Sequence, residues 1–151
     1  VGIFEVYLIY KNRRDIPHLG EKSSASARKW VKKLLFNSVE DCYAELRKQG
    51  KKIFTTHLSS EAKSIYDVDM TQNIAIVFGN EHSGVSEEAL EKADGNILIP
   101  QVGMIQSLNI SVACAVTVYE AFRQRNVAGL YNKCNFDDAS FDCIMKEWTK
   151  R

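Results

Sequence analysis

Three short stretches hold the residues whose types suit chemistry on a bound ligand. GNEHSG (Gly79 to Gly84) sets two glycines around an amide, Asn80, and a carboxylate, Glu81. Glycine lets backbone amides approach a ligand closely. Glu81 suits either proton transfer or a structural task, bonding loop amides to hold the turn. Ser107 and Asn109 offer a hydroxyl and a carboxamide with no His or Lys beside them, so a serine-hydrolase arrangement is poorly supported. Thr56, His57 and Leu58 form the third stretch. His57 reads as a structural or capping histidine in preference to a base.

Other chemistries find less to work with. GNEHSG lacks both the GxGxxG spacing of a dinucleotide site and the lysine of a P-loop. A nucleotide-binding α/β enzyme using these loops would need such a fingerprint. Cys42, Cys114, Cys134 and Cys143 show no CxxC pair and no metal-ligand spacing. Free thiols in a reducing cytoplasm fit them better than a disulfide framework.

Each stretch follows an apolar run. Lys52 to Leu58 and Asn73 to Phe78 (NIAIVF) read as strands, the second buried on both faces, and Ile97 to Ile99 as a third. Three strand-end loops on one sheet edge would make one pocket. A long helix follows the third strand. Ser107 reads as its N-cap, and Leu108, Val112, Ala115, Val116, Tyr119 and Phe122 recur at helical spacing. Ser111, Ala113, Cys114 and Ala115 are small enough to let another backbone come close. A helix N-terminus beside such a loop suits ligand binding; an ordinary buried strand and helix joined by a turn fits the same spacing.

The remaining chain supplies the frame. Ser38 to Gly50 reads as a helix, opened by Ser38 with Asp41 as an acidic capping box and stopped by Gly50. Ser60 to Tyr66 reads as a short helix, and Ser86 caps another with Glu87 and Glu88 at its positive end. VGIFEVYLIY reads as a buried strand, KNRRDIPHLGEKSS as a polar loop. ASARKWVKKLLF is either a short helix or a helix running into a strand. Beyond Asn126 the pattern weakens into a loop and a last short helix. Strands alternating with helices imply an α/β fold, a mainly parallel sheet with helices on both faces.

At 151 residues and 45% hydrophobic, the chain is long enough for one domain with a real core. It has no apolar run of membrane-spanning length and no signal-peptide pattern. Net charge is +1, but residues 1–56 carry twelve Lys/Arg against six Asp/Glu, and residues 57–151 eight against thirteen. A polyanion would find a surface in the basic half. Arg123 and Arg125 end the long helix, placed either to pair with phosphates or to sit favourably against the helix dipole.

FGNEHSGVS and IPQVGMIQSLNISVA, separated as here, resemble the second and third motifs of the SPOUT superfamily of RNA methyltransferases. With SARKWV, THLS and YEAFRQRNVAGLY, the resemblance narrows to the TrmH family of ribose 2'-O-methyltransferases, and within it to proteins acting on a guanosine of the tRNA D-loop. The resemblance implies a methyltransferase domain over residues 1–133, with a C-terminal extension over 134–151, and a deep C-terminal trefoil knot. It implies S-adenosylmethionine held at Thr56, Leu58, Gly79, Asn80, Glu81, Ile99, Met104, Ser107, Leu108 and Asn109. Glu81, Ser107 and Asn109 are the candidate catalytic residues, and Arg123 and Arg125 the candidate RNA contacts. Partners implied are tRNA, or alternatively rRNA, and a second copy docked through the knot helix. A methyl donor that carries its own leaving group calls for no metal. Gln101 stands where the family usually has Met. The chain opens at Val1 inside a strand, and the arginine of the family's first motif and its N-terminal tRNA-binding helix would precede that point. The expectation is therefore a fragment that folds and binds cofactor without transferring methyl, or a non-catalytic RNA-binding module.

Overall fold

The computed structural model describes residues 2–10, 31–80, 83–104, 107–132, 134 and 136–149. In chain order the elements are β1 (Glu5–Ile9), β2 (Lys32–Phe36), α1 (Val39–Lys48), β3 (Lys52–Thr56), β4 (Lys63–Ser64), β5 (Ile74–Val77), α2 (Glu87–Glu91), β6 (Gly95–Leu98), α3 (Ile110–Val127) and α4 (Asp138–Thr149). They fall into two compact units, Val39–Leu130 and Gly2–Ser38 with Tyr131–Arg151.

In the unit formed by the two ends of the chain, β1 and β2 pair in parallel from Glu5↔Lys32 to Ile9↔Phe36. Tyr7 stacks on Phe36 with ring centroids 5.7 Å apart. Phe4 meets Phe136 edge-on at 5.0 Å and stacks on Trp148 at 5.7 Å, so α4 and the opening strand share aromatic cover. The strand expected over residues 1–10 is half-buried or exposed along its length instead of enclosed. Residues 32–36 of ASARKWVKKLLF are strand; the polar loop over residues 11–24 lies outside the described residues.

In the Val39–Leu130 unit, α1 buries Val39, Cys42, Tyr43 and Leu46, the stripe its spacing dictates. Gly50 adopts φ +70°, which side chains disfavour. The amides of Gly50 and Lys51 turn back onto the carbonyls of Arg47 and Leu46, at 2.9 and 3.0 Å, and close the helix. Ser86 caps α2 by accepting from the Ala89 amide, and the buried Tyr43 hydroxyl donates to the Ala89 carbonyl at 3.1 Å, tying α1 to α2.

The sheet of this unit is wholly parallel, in the order β4-β6-β3-β5. Alternation along β3 sends Phe54 to one face and Ile53 and Thr55 to the other. On the Phe54 face, Ile65, Val68, Met70 and Ile97 form the core, flanked by Phe54, Ile74, Ile76, Ile99 and, from α3, Val116 and Ala121. Ile53, Ile65 and Ile97 are at most 1% exposed, and burial of each such side chain stabilises the fold by roughly 2 kcal/mol. Gly95 is where the Phe54 ring fits, since a Cβ there would stand 2.8 Å from it.

Two expectations are corrected. Residues 60–66 are not a helix: Lys63 and Ser64 form β4, and the Ile65 amide donates to Leu98 at 2.9 Å. That pairing partner lies far downstream, where local spacing cannot reveal it. The long helix begins at Ile110 with Asn109, not Ser107, as its cap; Asn109 Oδ1 accepts from the Ser111 amide at 2.9 Å. The apolar stripe on that helix is divided, with Val116 packed on the core and other members facing outward. Val112 is 47% and Tyr119 66% exposed, while Thr117 and Glu120 are buried.

Candidate functional site

Parallel pairing puts the carboxyl ends of β3, β5 and β6 on one edge of the sheet, as the order of loops implied. Thr56 Oγ1 donates to the Val77 carbonyl at 3.1 Å and joins the ends of β3 and β5. Beyond β5, Asn80 and Gly84 exchange two backbone hydrogen bonds, 3.2 and 3.0 Å. The Asn80 carboxamide bonds Ser83 through the Ser83 amide at 2.7 Å and its hydroxyl at 2.9 Å. Gly79 packs directly on the backbone of Gly84 and Val85, leaving no room for a Cβ, and Gly84 has φ +66°. Both glycines of GNEHSG are thus required by the backbone path. Glu81 lies outside the described residues.

Sequence reasoning gave no role to Asn96 on β6. Its Oδ1 accepts from the His57 amide at 2.9 Å and from Thr55 Oγ1 at 3.3 Å. Its Nδ2 donates to the His57 carbonyl at 2.7 Å and to Ser59 Oγ at 3.0 Å. The carboxamide therefore spends both acceptor and both donor positions on β3 and the segment following it. An Asn within an apolar strand was the available signal.

Of the residues expected to hold a ligand, Thr56, Leu58, Gly79, Asn80 and Ile99 come from the three strand ends. Leu58 is 57% and Met104 fully exposed, and Leu108, in the segment that leads from β6 to α3, is exposed as well. Ile99 instead packs on the core. Ser107 and Asn109 precede α3, and Asn109 Oδ1 also accepts from Ser111 Oγ at 2.6 Å.

Arg123 and Arg125 are both engaged within the chain. Arg123 grips Glu120 with two bonds of 2.8 Å, and Gln124 Nε2 adds a third of 2.8 Å. The Arg123 guanidinium, opposed by burial and helped by Gln124, holds the Glu120 carboxyl below its usual range. Arg125 Nη1 faces the carbonyls of Met70, Thr71 and Gln72 at 3.2 to 3.4 Å, stapling the 70–72 turn to α3. Among the described residues no group of His, Cys, Asp and Glu is arranged to hold a metal ion, and no helix is long and apolar enough to cross a membrane.

Known proteins resemble the chain along its whole length. The tRNA (guanosine(18)-2'-O)-methyltransferase of Thermus thermophilus is 38% identical over 151 residues, all of this chain and 77% of that protein. The solved TrmH/SpoU tRNA modifying enzyme of A. aeolicus superposes with a TM-score of 0.88 at 34% identity, over 97% of this chain and 74% of its own. The SpoU methyltransferase AviRb of Streptomyces viridochromogenes, solved with its cofactor AdoMet, shares the fold at a TM-score of 0.70 and 23% identity, over 82% of this chain and 50% of its own. The SpoU rRNA Methylase family matches residues 1–119, a span that takes in all three strand-end loops, and to that family the chain belongs.

Proposed function

We propose that this protein transfers a methyl group from S-adenosylmethionine to the ribose 2'-hydroxyl of a guanosine in the D-loop of tRNA. The observation that carries the reading is the convergence of the Thr56–Leu58, Gly79–Asn80 and Ile99–Asn109 segments on one sheet edge. The edge fits the cofactor chemically: the close Gly79 backbone presents polar groups, and the exposed Leu58, Met104 and Leu108 offer apolar cover for a purine and a thioether-like chain. The T. thermophilus protein named for tRNA matches along the whole chain, which favours tRNA over the rRNA of the family's description.

A ribose hydroxyl is a weak nucleophile and needs both proton removal and alignment. The cofactor, when bound, supplies an electrophilic methyl with its leaving group attached. The chain's task is to orient and to accept a proton. Thr56, Leu58, Gly79, Asn80, Ile99, Met104 and Leu108 take the binding role. Glu81, Ser107 and Asn109 take the catalytic one, with Glu81 holding the turn or receiving the proton. Arg123 through Nη1, and Arg125 through Nε and Nη2, keep guanidinium N–H groups for RNA phosphates beside those bonded to Glu120 and to the 70–72 carbonyls.

Three further features belong to the same reading. A deep C-terminal trefoil knot is one of them, with β6 entering the sheet between β3 and β4. The exposed Val112, Tyr119 and Val127 on α3 give a second copy an apolar face, and free thiols suit a cytoplasmic location.

The test is transfer of labelled methyl to unmodified tRNA by the gene product expressed from its own start codon. Digestion should yield 2'-O-methylguanosine. Methyl on a base refutes the reaction class, and tRNA retention without transfer favours a non-catalytic module.

A further inference from the structure

Asn96 makes four side-chain hydrogen bonds at the carboxyl edge. His57 leaves its orientation no choice, because a backbone N–H can only donate and a carbonyl can only accept. Oδ1 must face the amide and Nδ2 the carbonyl. Both polar groups of one peptide residue are thus held by one side chain on a neighbouring strand. Ser59 Oγ extends the clamp two residues further.

The segment so clamped joins β3 to β4. Those two strands are not neighbours, since β6 lies between them. Residues 57–62 therefore have to pass β6 without a ladder partner of their own in the sheet. Asn96, on β6 and opposite Thr55 in the register, replaces the missing ladder. Leu58 is held on both sides, by His57 and Ser59, while its own side chain stays 57% exposed.

From this geometry, and resting on the cofactor reading above, we propose that Asn96 is a positioning residue for methyl transfer, fixing the Leu58 segment in the shape that receives S-adenosylmethionine. It touches no reacting atom. Its effect runs through ground-state binding, so the loss belongs in KM for the cofactor and not in kcat.

The experiment compares Asn96→Asp, which turns a carboxylate toward the His57 carbonyl, with Ser59→Ala, which deletes one bond of the clamp. Tyr43→Phe serves as a control that loses the bond to Ala89 far from the edge. Asn96→Asp is expected to raise KM for S-adenosylmethionine about tenfold, with kcat and the KM for tRNA nearly unchanged. Ser59→Ala is expected to raise the same KM about twofold, and it keeps the test open should Asn96→Asp fail to fold. Tyr43→Phe lowers the melting temperature without moving KM. If the clamp variants lose melting temperature as Tyr43→Phe does while their cofactor KM stays at the parent value, the proposal is overturned. If the parent itself gives no calorimetric binding of S-adenosylhomocysteine, the cofactor reading falls, and this proposal with it.

Discussion

Gly79 and Gly84 are in direct backbone contact: a side chain on Gly79 would overlap the Gly84 carbonyl and the Val85 amide. Backbone atoms fixed by the Asn80–Gly84 bridge cannot swing aside as a side chain would. Gly79→Ala should therefore cost about 1–3 kcal/mol of stability and weaken S-adenosylhomocysteine binding together with it. Urea denaturation and calorimetry on the same preparation check both; unchanged values would show that the loop has room to move.

Asn109 should act first through the helix it caps. Asn109→Ala removes the acceptor for the Ser111 amide and hydroxyl and should destabilise the protein by about 1 kcal/mol. Asn109→Ser restores most of the loss. Ser107→Ala, outside the helix, should leave the denaturation midpoint where it was.

Glu120 makes stability depend on acid pH with a definite sign. Its folded-state carboxyl titrates below the ordinary value of 4.5 because Arg123, then Gln124, bond the charged form. The unfolded chain takes up the proton first as pH falls. The stabilisation is thus complete above the ordinary value and is lost as pH drops through the lower folded-state value. Urea midpoints of the parent should fall from about pH 5 to about pH 3 more steeply than those of Glu120→Gln. Parallel curves would mean that Glu120 titrates alike in both states.

The outward face of α3 should join two copies. Light scattering is expected to give a dimer at tens of micromolar, and Tyr119→Lys, which charges an exposed aromatic, should shift it toward monomer. A parent that stays monomeric with S-adenosylhomocysteine present counts against this interface.

Much of the frame was legible because its signals are local. Gly50 ends α1, Ser86 caps α2, and apolar runs mark β3, β5 and β6 whatever they pair with. The convergence of three loops then follows from parallel order alone. What stayed hidden depends on distant partners. The two residues of β4 have no periodicity of their own. The buried face of α3 mixes Thr117 and Glu120 with Val116 and Ala121, Glu120 being compensated by Arg123 and Gln124, so hydropathy alone does not mark it. Ser107 and Asn109 are equally good caps by type; where the loop before the helix ends decides between them. Asn96 stands out by type in an apolar strand, but its role was hidden for a related reason, its four partners lying on β3 and the segment after it.

The place of β6 also sets an order of assembly. Strand β3 can pair with β5 as soon as residue 77 is available, but β4 pairs only with β6. While the chain emerges from the ribosome, Lys63 and Ser64 wait for residues 97 and 98, and the 57–62 segment waits for Asn96. Contacts this far apart in sequence slow folding and leave strand edges open meanwhile. The carboxyl edge of the sheet is accordingly among the last parts of this unit to take shape.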